Sequence, residues 1–389
     1  MTQRIDPFRL SRPSHGPVPR VLQLLPAMAT PAMVAHVLSL VRGLVAAGGA
    51  AVVAAPTRAQ ALALRRAGAL IVPWAGAGGR APDPKALVAR VGGDIDIVHI
   101  HAVEDAETGV AVQRAFDAAL VLTEHARVAR PAMLTRLRLA RRLRGAACLA
   151  VSPAVATALA RAMGAADNAV AVVPAGIDMT RIDPAAVPMG RAVALTEAWG
   201  LVEDPRPIVL VTDVFASAPW LRFVLAAASD PAAPDAIWAL SACDDNGPGE
   251  MGPLLTDPRF SARVRWIGPP ADWPASLKLS SVLLDAGAAA RGHARAALDA
   301  QAFGKPVLLP DGCGMRAFLP PGAETALYPP DDPAQLAQRV ASAVRNTEHA
   351  GDRARLNARL FVATHHGHDA LHTAMRRHYA GVLTARLRA

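Results

Sequence analysis

Short apolar runs alternate with helix-length segments over most of the 389-residue chain. The first run, Val21–Leu25, precedes a segment of helical periodicity that ends at Gly48 and Gly49. These runs are apolar on both faces, which is typical of strands in a parallel sheet whose two sides are covered by helices. This alternation favours a doubly wound α/β fold over all-α, all-β and short-period repeat architectures.

Composition and length indicate two domains with cores of small aliphatic side chains. Hydrophobic residues make up 52% of the chain and aromatic residues only 4%, so alanine, valine and leucine must fill the cores. A chain of this length is expected to hold two or three domains. A second strand-helix series begins near Pro207, and the predicted hinge lies between Pro174 and Glu203. The predicted parts are a flexible lead-in at 1–19, Rossmann-like domains at 20–185 and 186–370, and a C-terminal helix at 371–389.

The net charge of +9 is confined to the N-terminal half of the chain. Residues 1–185 carry 21 Lys and Arg against 12 Asp and Glu, whereas residues 186–389 carry 20 of each sign. A solvated basic surface explains this excess, and so does contact with an anionic membrane or an acidic acceptor. Nucleic acid is not expected as a partner, because the arginines are not interleaved with aromatic side chains.

Cysteine usage and hydropathy indicate a cytoplasmic protein without a membrane span. Cys148, Cys243 and Cys313 are far apart, which argues against a disulfide framework and against a zinc site. Residues 21–41 carry no charged side chain, but Pro26 and Pro31 interrupt them, so a strand followed by a helix is expected there. We predict a cytoplasmic location, peripheral at the inner face of the membrane.

The segment Arg130–Arg144 combines six arginines with apolar residues at helical spacing. A basic amphipathic helix of this kind can lie on anionic lipid. Alternatively, its apolar stripe packs inward and its arginines are solvated. The stripe consists of Met133, Leu134, Leu137, Ala140 and Leu143.

Four motifs in a fixed order carry a resemblance to a known family. They are Asp96–His101, Leu120–His125, Val151–Val155 continuing to Val172–Asp178, and Arg291–Val307. Their order and spacing resemble those of GT-B fold retaining glycosyltransferases, in particular the large family numbered four. The resemblance implies two Rossmann-like domains facing across a cleft, with a C-terminal helix that crosses back to the N-terminal domain.

The resemblance also implies a function. Such enzymes transfer a sugar, with retention, from a nucleoside diphosphate sugar held by the C-terminal domain to an acceptor held by the N-terminal domain. The expected acceptor is a saccharide or lipid-linked saccharide that serves as a cell-envelope or exopolysaccharide precursor. No metal is expected, because helix N-termini and cationic side chains stabilise the leaving diphosphate in such enzymes. No cofactor is expected either, because the nucleotide sugar is itself a substrate.

Donor-binding residues follow from the same resemblance. Asp299 stands where a glutamate normally holds the ribose hydroxyls, and Arg291 stands where another glutamate contacts the transferred sugar. Gly312 and Gly314 retain part of the glycine-rich turn that lets the backbone approach the diphosphate. The remaining expected donor residues, between Arg291 and Asp299, are His293 and Arg295.

Two cations of the family are replaced in this chain. The positions that usually carry an arginine and a lysine for the diphosphate hold Asp213 and Ala218, and loss of one such group commonly costs roughly 10²–10³ in rate. Arg291 or Arg295 would have to replace them. Otherwise the chain is a catalytically inactive relative that binds a saccharide or a partner enzyme. An epimerase on the same fold is a third alternative.

His101 and His125 end two predicted strands and are the expected catalytic residues. The family often uses a histidine at the second position near the reacting sugar. A structural, hydrogen-bonded histidine is the alternative for each. Three carboxylates follow His101, namely Glu104, Asp105 and Glu107. They can receive the proton of the acceptor hydroxyl, or they can lie at the start of a helix, where negative charge is favourable.

Two further groups of residues allow alternative functional interpretations. A metal site is an alternative for the histidines that precede and begin the last helix, namely His365, His366, His368 and His372. A dinucleotide loop is an alternative for Gly76, Gly78 and Gly79. These glycines follow the third strand rather than the first, where a nicotinamide-binding loop would lie.

Overall fold

The computed structural model describes residues 18–26, 29–55, 57–73, 83–129, 131–212, 218–242, 252–312, 314–349 and 352–388. The chain divides into two compact units, residues 1–176 with 368–389 and residues 177–367. The predicted boundary between residues 185 and 186 falls inside the second unit. Several residues singled out in the sequence lie outside the described residues: Gly76, Gly78, Gly79, Arg130, Asp213, Cys243, Cys313 and the lead-in 1–17.

The first unit is built on a seven-stranded parallel sheet in the order β3-β2-β1-β4-β5-β6-β7. Its strands are β1 Arg20–Leu24, β2 Ala50–Ala55, β3 Leu70–Pro73, β4 Ile97–Ile100, β5 Ala119–Glu124, β6 Ala147–Ala150 and β7 Ala171–Val172. Its helices are α1 Pro31–Ala46, α2 Arg58–Arg66, α3 Pro84–Val91, α4 Ala106–Phe116, α5 Met133–Arg142 and α6 Pro153–Met163. The last helix of the chain, His368–Leu387, also belongs to this unit.

The second unit has a six-stranded parallel sheet in the order β10-β9-β8-β11-β12-β13. Its strands are β8 Ile208–Thr212, β9 Ile237–Leu240, β10 Val264–Trp266, β11 Ser280–Asp285, β12 Val307–Pro310 and β13 Leu327–Tyr328. Its helices are α7 Met189–Ala198, α8 Ala218–Ser229, α9 Gly252–Leu255, α10 Pro258–Ser261, α11 Trp273–Leu279, α12 Ala288–Arg291, α13 Arg295–Ala302, α14 Pro333–His349 and α15 Asp352–His366. The last helix of the chain is α16.

Both sheets have the strand order of a doubly wound Rossmann-like fold, so the predicted fold class is confirmed. In each sheet the first strand lies beside the fourth, at β1–β4 and at β8–β11. The chain reverses its direction of winding there, and the crevice outside the carboxyl ends of the strands is where such folds bind ligands. Ligand-binding residues are therefore expected at the ends of β1, β4 and β5 in the first unit, and at the ends of β11 and β12 in the second.

Alternation along the central strands places polar side chains on one face of the first sheet. Val21 and Ile97 belong to the core between the sheet and helices α1 and α16. Leu22 and Val98, one residue further along, belong to the core on the opposite face. Successive strand residues point to opposite faces, so Gln23 lies on the face that α1 and α16 cover, as do His99 of β4 and Thr123 of β5.

Helix α16 packs closely against α1 within the first unit. A Cβ built on Gly43 of α1 would lie 2.5 Å from the imidazole of His372, so only glycine allows this approach. The His372 Nε2 nitrogen lies 2.8 Å from the carbonyl oxygen of Ser39, and Leu371, Met375 and Tyr379 are buried. This packing brings Tyr379 beneath the central strands. Among the described residues, no helix is long and apolar enough to cross a membrane.

Candidate functional site

Four buried histidines gather at the carboxyl ends of β4 and β5 in the first unit. His99 lies on β4, His101 directly follows it, His125 directly follows β5, and His36 comes from α1. The imidazole centroids of His36 and His125 are 4.9 Å apart, and those of His99 and His101 are 4.3 Å apart. We call this set the histidine network, together with Gln23, Thr123 and Tyr379, which complete its hydrogen bonds.

His99 is held on both ring nitrogens. Its Nδ1 lies 2.9 Å from the hydroxyl of Tyr379, and its Nε2 lies 2.8 Å from the hydroxyl of Thr123. The Gln23 amide nitrogen donates to the Tyr379 oxygen at 3.3 Å. Burial, with repulsion from the neighbouring imidazoles of His36 and His125, holds the pKa of His99 well below its usual value. His99 is therefore a neutral, fixed group that ties the last helix to the sheet.

His101 connects Gln23 to His125. Its Nε2 lies 2.8 Å from the Gln23 side-chain oxygen, and its Nδ1 lies 3.2 Å from His125 Nε2. Since that oxygen can only accept, His101 donates through Nε2; a neutral His101 then accepts at Nδ1, and His125 donates through Nε2. Burial, with repulsion from His99 and His36, lowers the pKa of His101 well below its usual value, which agrees with a neutral ring.

The two predicted catalytic histidines differ in access. His125 is 7% exposed, whereas His101 has no exposed surface. Since the Nε2 hydrogen of His125 is directed at His101, the Nδ1 of a neutral His125 is a hydrogen-bond acceptor. Of the two histidines, only His125 has surface that a substrate could reach directly, and His101 could act only through His125.

Glu124 is a buried carboxylate of the candidate site, and the sequence indicated it only as part of the Leu120–His125 motif. Its carboxylate accepts backbone hydrogen bonds from Val103 at 2.9 Å, His125 at 2.9 Å and Ala126 at 3.3 Å. It thereby holds the turn after His101 beside the turn after β5. Burial raises the pKa of Glu124 to about 7, although these three hydrogen bonds act to lower it. The carboxylate that joins the two turns therefore titrates near neutral pH.

The carboxylates after His101 have separate roles. Val103–Asp105 forms a single 3-10 turn that leads into α4. Burial and the charge of Glu104 raise the pKa of Asp105 to about 6. Glu107, in the first turn of α4, pairs with Arg142 at 2.6 Å. A carboxylate with a pKa near 6, such as Asp105, is suited to accept a proton near neutral pH.

In the second unit, the predicted donor residues follow β11. Asp285, the last residue of β11, is fully buried, and Arg291 donates to its Oδ1 at 2.7 Å. Arg291 is thus held against a strand-end carboxylate that sequence reasoning missed. The available signal was an aspartate closing a buried apolar strand. Desolvation, with the charges of Arg291 and Arg295, lowers the pKa of His293 to about 3, so its ring is neutral.

Asp299 is a buried carboxylate on α13, 8% exposed. Its Oδ2 accepts from the indole nitrogen of Trp273 at 2.9 Å, and its Oδ1 lies 3.6 Å from Arg295 Nε. Oδ1 has no hydrogen-bond partner among the described residues. Burial raises the pKa of Asp299, against the opposing effects of Arg295 and Trp273. Nothing in the sequence indicated Trp273, which is distant along the chain.

Gly312 and Gly314 follow β12, with φ angles of 101° and 75° that favour glycine. A Cβ on Gly312 would meet nothing within 4 Å, so space is open there. The amide of Gly312, however, donates to the Asp311 carboxylate at 2.8 Å. Ala218, the position of one missing cation, begins α8. The described residues contain no group of three or more His, Cys, Asp or Glu placed to hold a metal ion.

Comparisons with known proteins agree with this architecture. Residues 33–181 match the model of the family described as Glycosyltransferase Family 4. The chain is similar to a glycosyltransferase from Rickettsia africae at 17% identity and a TM-score of 0.82, over 94% of this chain and 99% of that one. It is also similar to HepE from Anabaena, solved with UDP-glucose, at 16% identity and a TM-score of 0.74, over 94% and 100%.

A third similar structure is sucrose-phosphate synthase from Thermosynechococcus elongatus, at 18% identity and a TM-score of 0.70, over 94% of this chain and 100% of that one. No curated protein sequence matches the chain significantly. The chain therefore has the GT-B fold of glycosyltransferases that the four motifs predicted, and its residues 33–181 carry the family-four match.

Proposed function

We propose that the protein is a glycosyltransferase that moves a sugar, with retention, from a nucleoside diphosphate sugar to a cell-envelope or exopolysaccharide precursor. The observation that carries this proposal is the buried carboxylate of Asp299, whose Oδ1 has no hydrogen-bond partner among the described residues. Buried polar atoms are normally hydrogen-bonded, so this one is suited to a ligand hydroxyl. The Anabaena structure with UDP-glucose supports a nucleotide sugar as the donor.

In the proposed reaction, the bond between the sugar and the diphosphate breaks and negative charge develops on the leaving diphosphate. Asp299 would accept hydrogen bonds from the ribose hydroxyls. Gly312 and Gly314 would leave room for the diphosphate beside the backbone. Arg291 and Arg295 supply the cations near this end of the sheet, and such groups stabilise a developing anion most when they are fixed in advance. The chemistry is proposed to need neither metal nor cofactor.

On the acceptor side, His125 would lie near the transferred sugar and accept a hydrogen bond through Nδ1. His101 and Glu124 would fix its orientation, His101 through the ring and Glu124 through the backbone. Asp105, with a pKa raised to about 6, is the candidate to receive the proton of the acceptor hydroxyl.

The donor site is tested by equilibrium binding of UDP-, GDP-, ADP- and TDP-glucose. A ligand present at 100 times its Kd stabilises the folded protein by about 2.7 kcal/mol, which thermal unfolding detects. We expect one of these nucleotide sugars to bind the native protein. Asp299→Ala should weaken that binding at least tenfold, because a charge-assisted hydrogen bond of about 1.5–3 kcal/mol is lost. Asp235→Ala, an exposed carboxylate of the same unit, is the matched control and should bind as the native protein does. If both variants bound the nucleotide sugar equally well, Asp299 would not be a donor-binding residue.

A specific observation favours a second candidate, a sugar-nucleotide-binding protein without transfer activity. Both arginines expected to replace the missing cations already have carboxylate neighbours, Asp285 for Arg291 and Asp299 for Arg295. Nucleotide binding that depends on Asp299, without release of free nucleotide in the presence of saccharide acceptors, would favour this binding protein over the enzyme.

We further propose that α5 places the protein on an anionic membrane, where a lipid-linked acceptor would be found. The structure shows inward packing only for the C-terminal part of the apolar stripe. Leu143 is buried, whereas Met133, Leu134 and Leu137 are 76%, 70% and 56% exposed. With 3.6 residues per turn, these three share one face with Arg138 and Arg141. Exposed apolar side chains interleaved with arginines are suited to the interface of an anionic bilayer. A cytoplasmic location at the inner face of the membrane is part of this proposal.

A further inference from the structure

A cavity of about 470 Å³ opens in the second unit, away from the donor residues. Two of its lining residues, Lys278 and Lys305, lie two residues before the strands β11 and β12, respectively. The cavity therefore lies at the amino-terminal end of the sheet. Asp285 ends β11 and Gly312 follows β12, both at the carboxyl end of the sheet, so the length of the strands separates the cavity from them.

The described residues that line the cavity include four cations and no carboxylate. The cations are Lys278, Lys305, Arg355 and Arg359, and apolar surface comes from Pro184, Phe303 and Leu356. Arg359 has a neighbouring acid outside the lining, since its guanidinium lies 3.7 Å from the Asp183 carboxylate. The wall thus combines four cationic side chains with apolar surface.

The two lysines are fixed by backbone carbonyl groups rather than by acids. Lys305 Nζ donates to the carbonyl oxygens of Ser280 at 2.6 Å and Lys278 at 3.1 Å. Lys278 Nζ donates to those of Val187 at 2.5 Å and Pro184 at 3.4 Å. Among the described residues, neither ammonium has a carboxylate partner, and each has one N–H left after its two hydrogen bonds.

The cations repel one another across this wall. Burial, followed by the charges of Arg355 and Lys278, lowers the pKa of Lys305 to about 8. Lys305 therefore stays largely protonated at neutral pH, and its charge is kept against both desolvation and like charges. An anion in the cavity would relieve both costs.

We propose that this cavity is a second ligand site, which binds a phosphate-bearing anion. The phosphate lies against Lys278, Lys305 and Arg355, and an attached apolar part rests on Phe303 and Leu356. Leu356 is 64% exposed, so the apolar patch continues to the surface of the unit. The phosphate can belong to a soluble metabolite or to the headgroup of an anionic lipid, because both present the same group.

The test compares two charge reversals on α15, Arg355→Glu and Arg353→Glu. Both side chains are exposed, so both variants are expected to fold, but only Arg355 lines the cavity. Isothermal titration with inorganic phosphate should show binding to the native protein and to Arg353→Glu, and at least about tenfold weaker binding to Arg355→Glu. Asp299→Ala should retain this binding, which separates the cavity from the donor residues. Phosphate should also raise the pKa of Lys305 in NMR spectra of lysine-labelled protein.

A second arm uses phosphatidylglycerol vesicles with a protein whose α5 arginines, Arg138 and Arg141, are replaced by glutamine. Vesicle binding that Arg355→Glu removes and Arg353→Glu retains, without binding of free phosphate, would identify a lipid headgroup as the source. Binding of free phosphate with the same dependence would identify a soluble anion. If neither probe binds, or if the two charge reversals weaken binding equally, the cavity is not an anion site.

Discussion

At the scale of single residues, the histidine network makes the stability of the first unit depend on pH in two opposing ways. His99 and His101 have lowered pKa values, so below about pH 6.5 the unfolded chain binds more protons than the folded unit. Their contribution to stability is full above pH 6.5 and is lost as the pH falls, by about 1.4 kcal/mol per histidine and pH unit. Glu124, with its pKa raised to about 7, binds protons more tightly when folded, so its contribution is lost as the pH rises from about 4.5 to 7.

Denaturant unfolding between pH 4.5 and 8 checks these signs. We expect the free energy of unfolding to fall below pH 6.5 in the native protein. His99→Gln should reduce the slope of that fall by about 1.4 kcal/mol per pH unit, because one histidine fewer takes up a proton on unfolding. Glu124→Gln should make the slope steeper, because the opposing contribution of Glu124 is removed. The slope is the informative quantity, because both substitutions also lower the absolute stability by breaking buried hydrogen bonds. Identical slopes in the three proteins would show that these groups titrate normally in the folded state.

A pair of buried tyrosines isolates the contribution of the network hydroxyl. Tyr379→Phe leaves His99 Nδ1 and the Gln23 amide without their shared partner, at a cost of roughly 1–3 kcal/mol for each group left unpaired. Tyr328→Phe is the matched control, because the Tyr328 hydroxyl is buried with no hydrogen-bond partner among the described residues. Urea unfolding should show a loss of at least about 1 kcal/mol for Tyr379→Phe, and no loss or a gain for Tyr328→Phe. A similar loss in both would mean that the hydrogen bonds of the Tyr379 hydroxyl do not account for the loss.

At the scale of helices and strands, the contact between α1 and α16 depends on Gly43. In an isolated helix, alanine would be more favourable than glycine by about 1 kcal/mol. At Gly43, however, a methyl group would lie 2.5 Å from the His372 ring, so α16 must shift and its contacts with the sheet must loosen. Gly381→Ala on α16 is the control, since a Cβ there meets nothing within 4 Å. We expect the free energy of unfolding to fall for Gly43→Ala and to rise by up to about 1 kcal/mol for Gly381→Ala.

The elements were predictable from sequence because their determinants are local. Apolar runs, glycine stops and prolines at first helical positions fix strands and helices within a few residues, and parallel strands with connecting helices leave few topologies. Positions in the candidate site were predictable where a residue ends a strand, as for His101 and His125, or lies in a motif of the family resemblance, as for Asp299. Partners such as Tyr379 and Trp273 become neighbours through tertiary packing, which no local pattern in one sequence encodes. The sequence left both alternatives for α5 open for a related reason, since periodicity identifies an apolar stripe but not whether anything covers it.

At the scale of the whole molecule, the excess positive charge and the exposed face of α5 predict salt-dependent membrane binding. All nine net charges are carried by residues 1–185, and each arginine near an anionic surface contributes about 1 kcal/mol. Replacing Arg138 and Arg141 by glutamine should therefore weaken binding to phosphatidylglycerol vesicles roughly 30-fold at low salt. Leu134→Ser should weaken it about tenfold or more at any salt concentration, because loss of apolar burial is not screened.

Replacing Arg376 and Arg377 on α16 by glutamine removes the same charge from another exposed surface and is the matched control. If net charge alone attracted the protein to the membrane, both double variants would lose affinity equally, and Leu134→Ser would lose none. If α5 is the docking face, only its own variants weaken binding, and the two kinds respond differently to salt. Co-sedimentation with vesicles at 50 and 500 mM salt distinguishes these outcomes, because the screening length shortens to a few ångströms at the higher concentration.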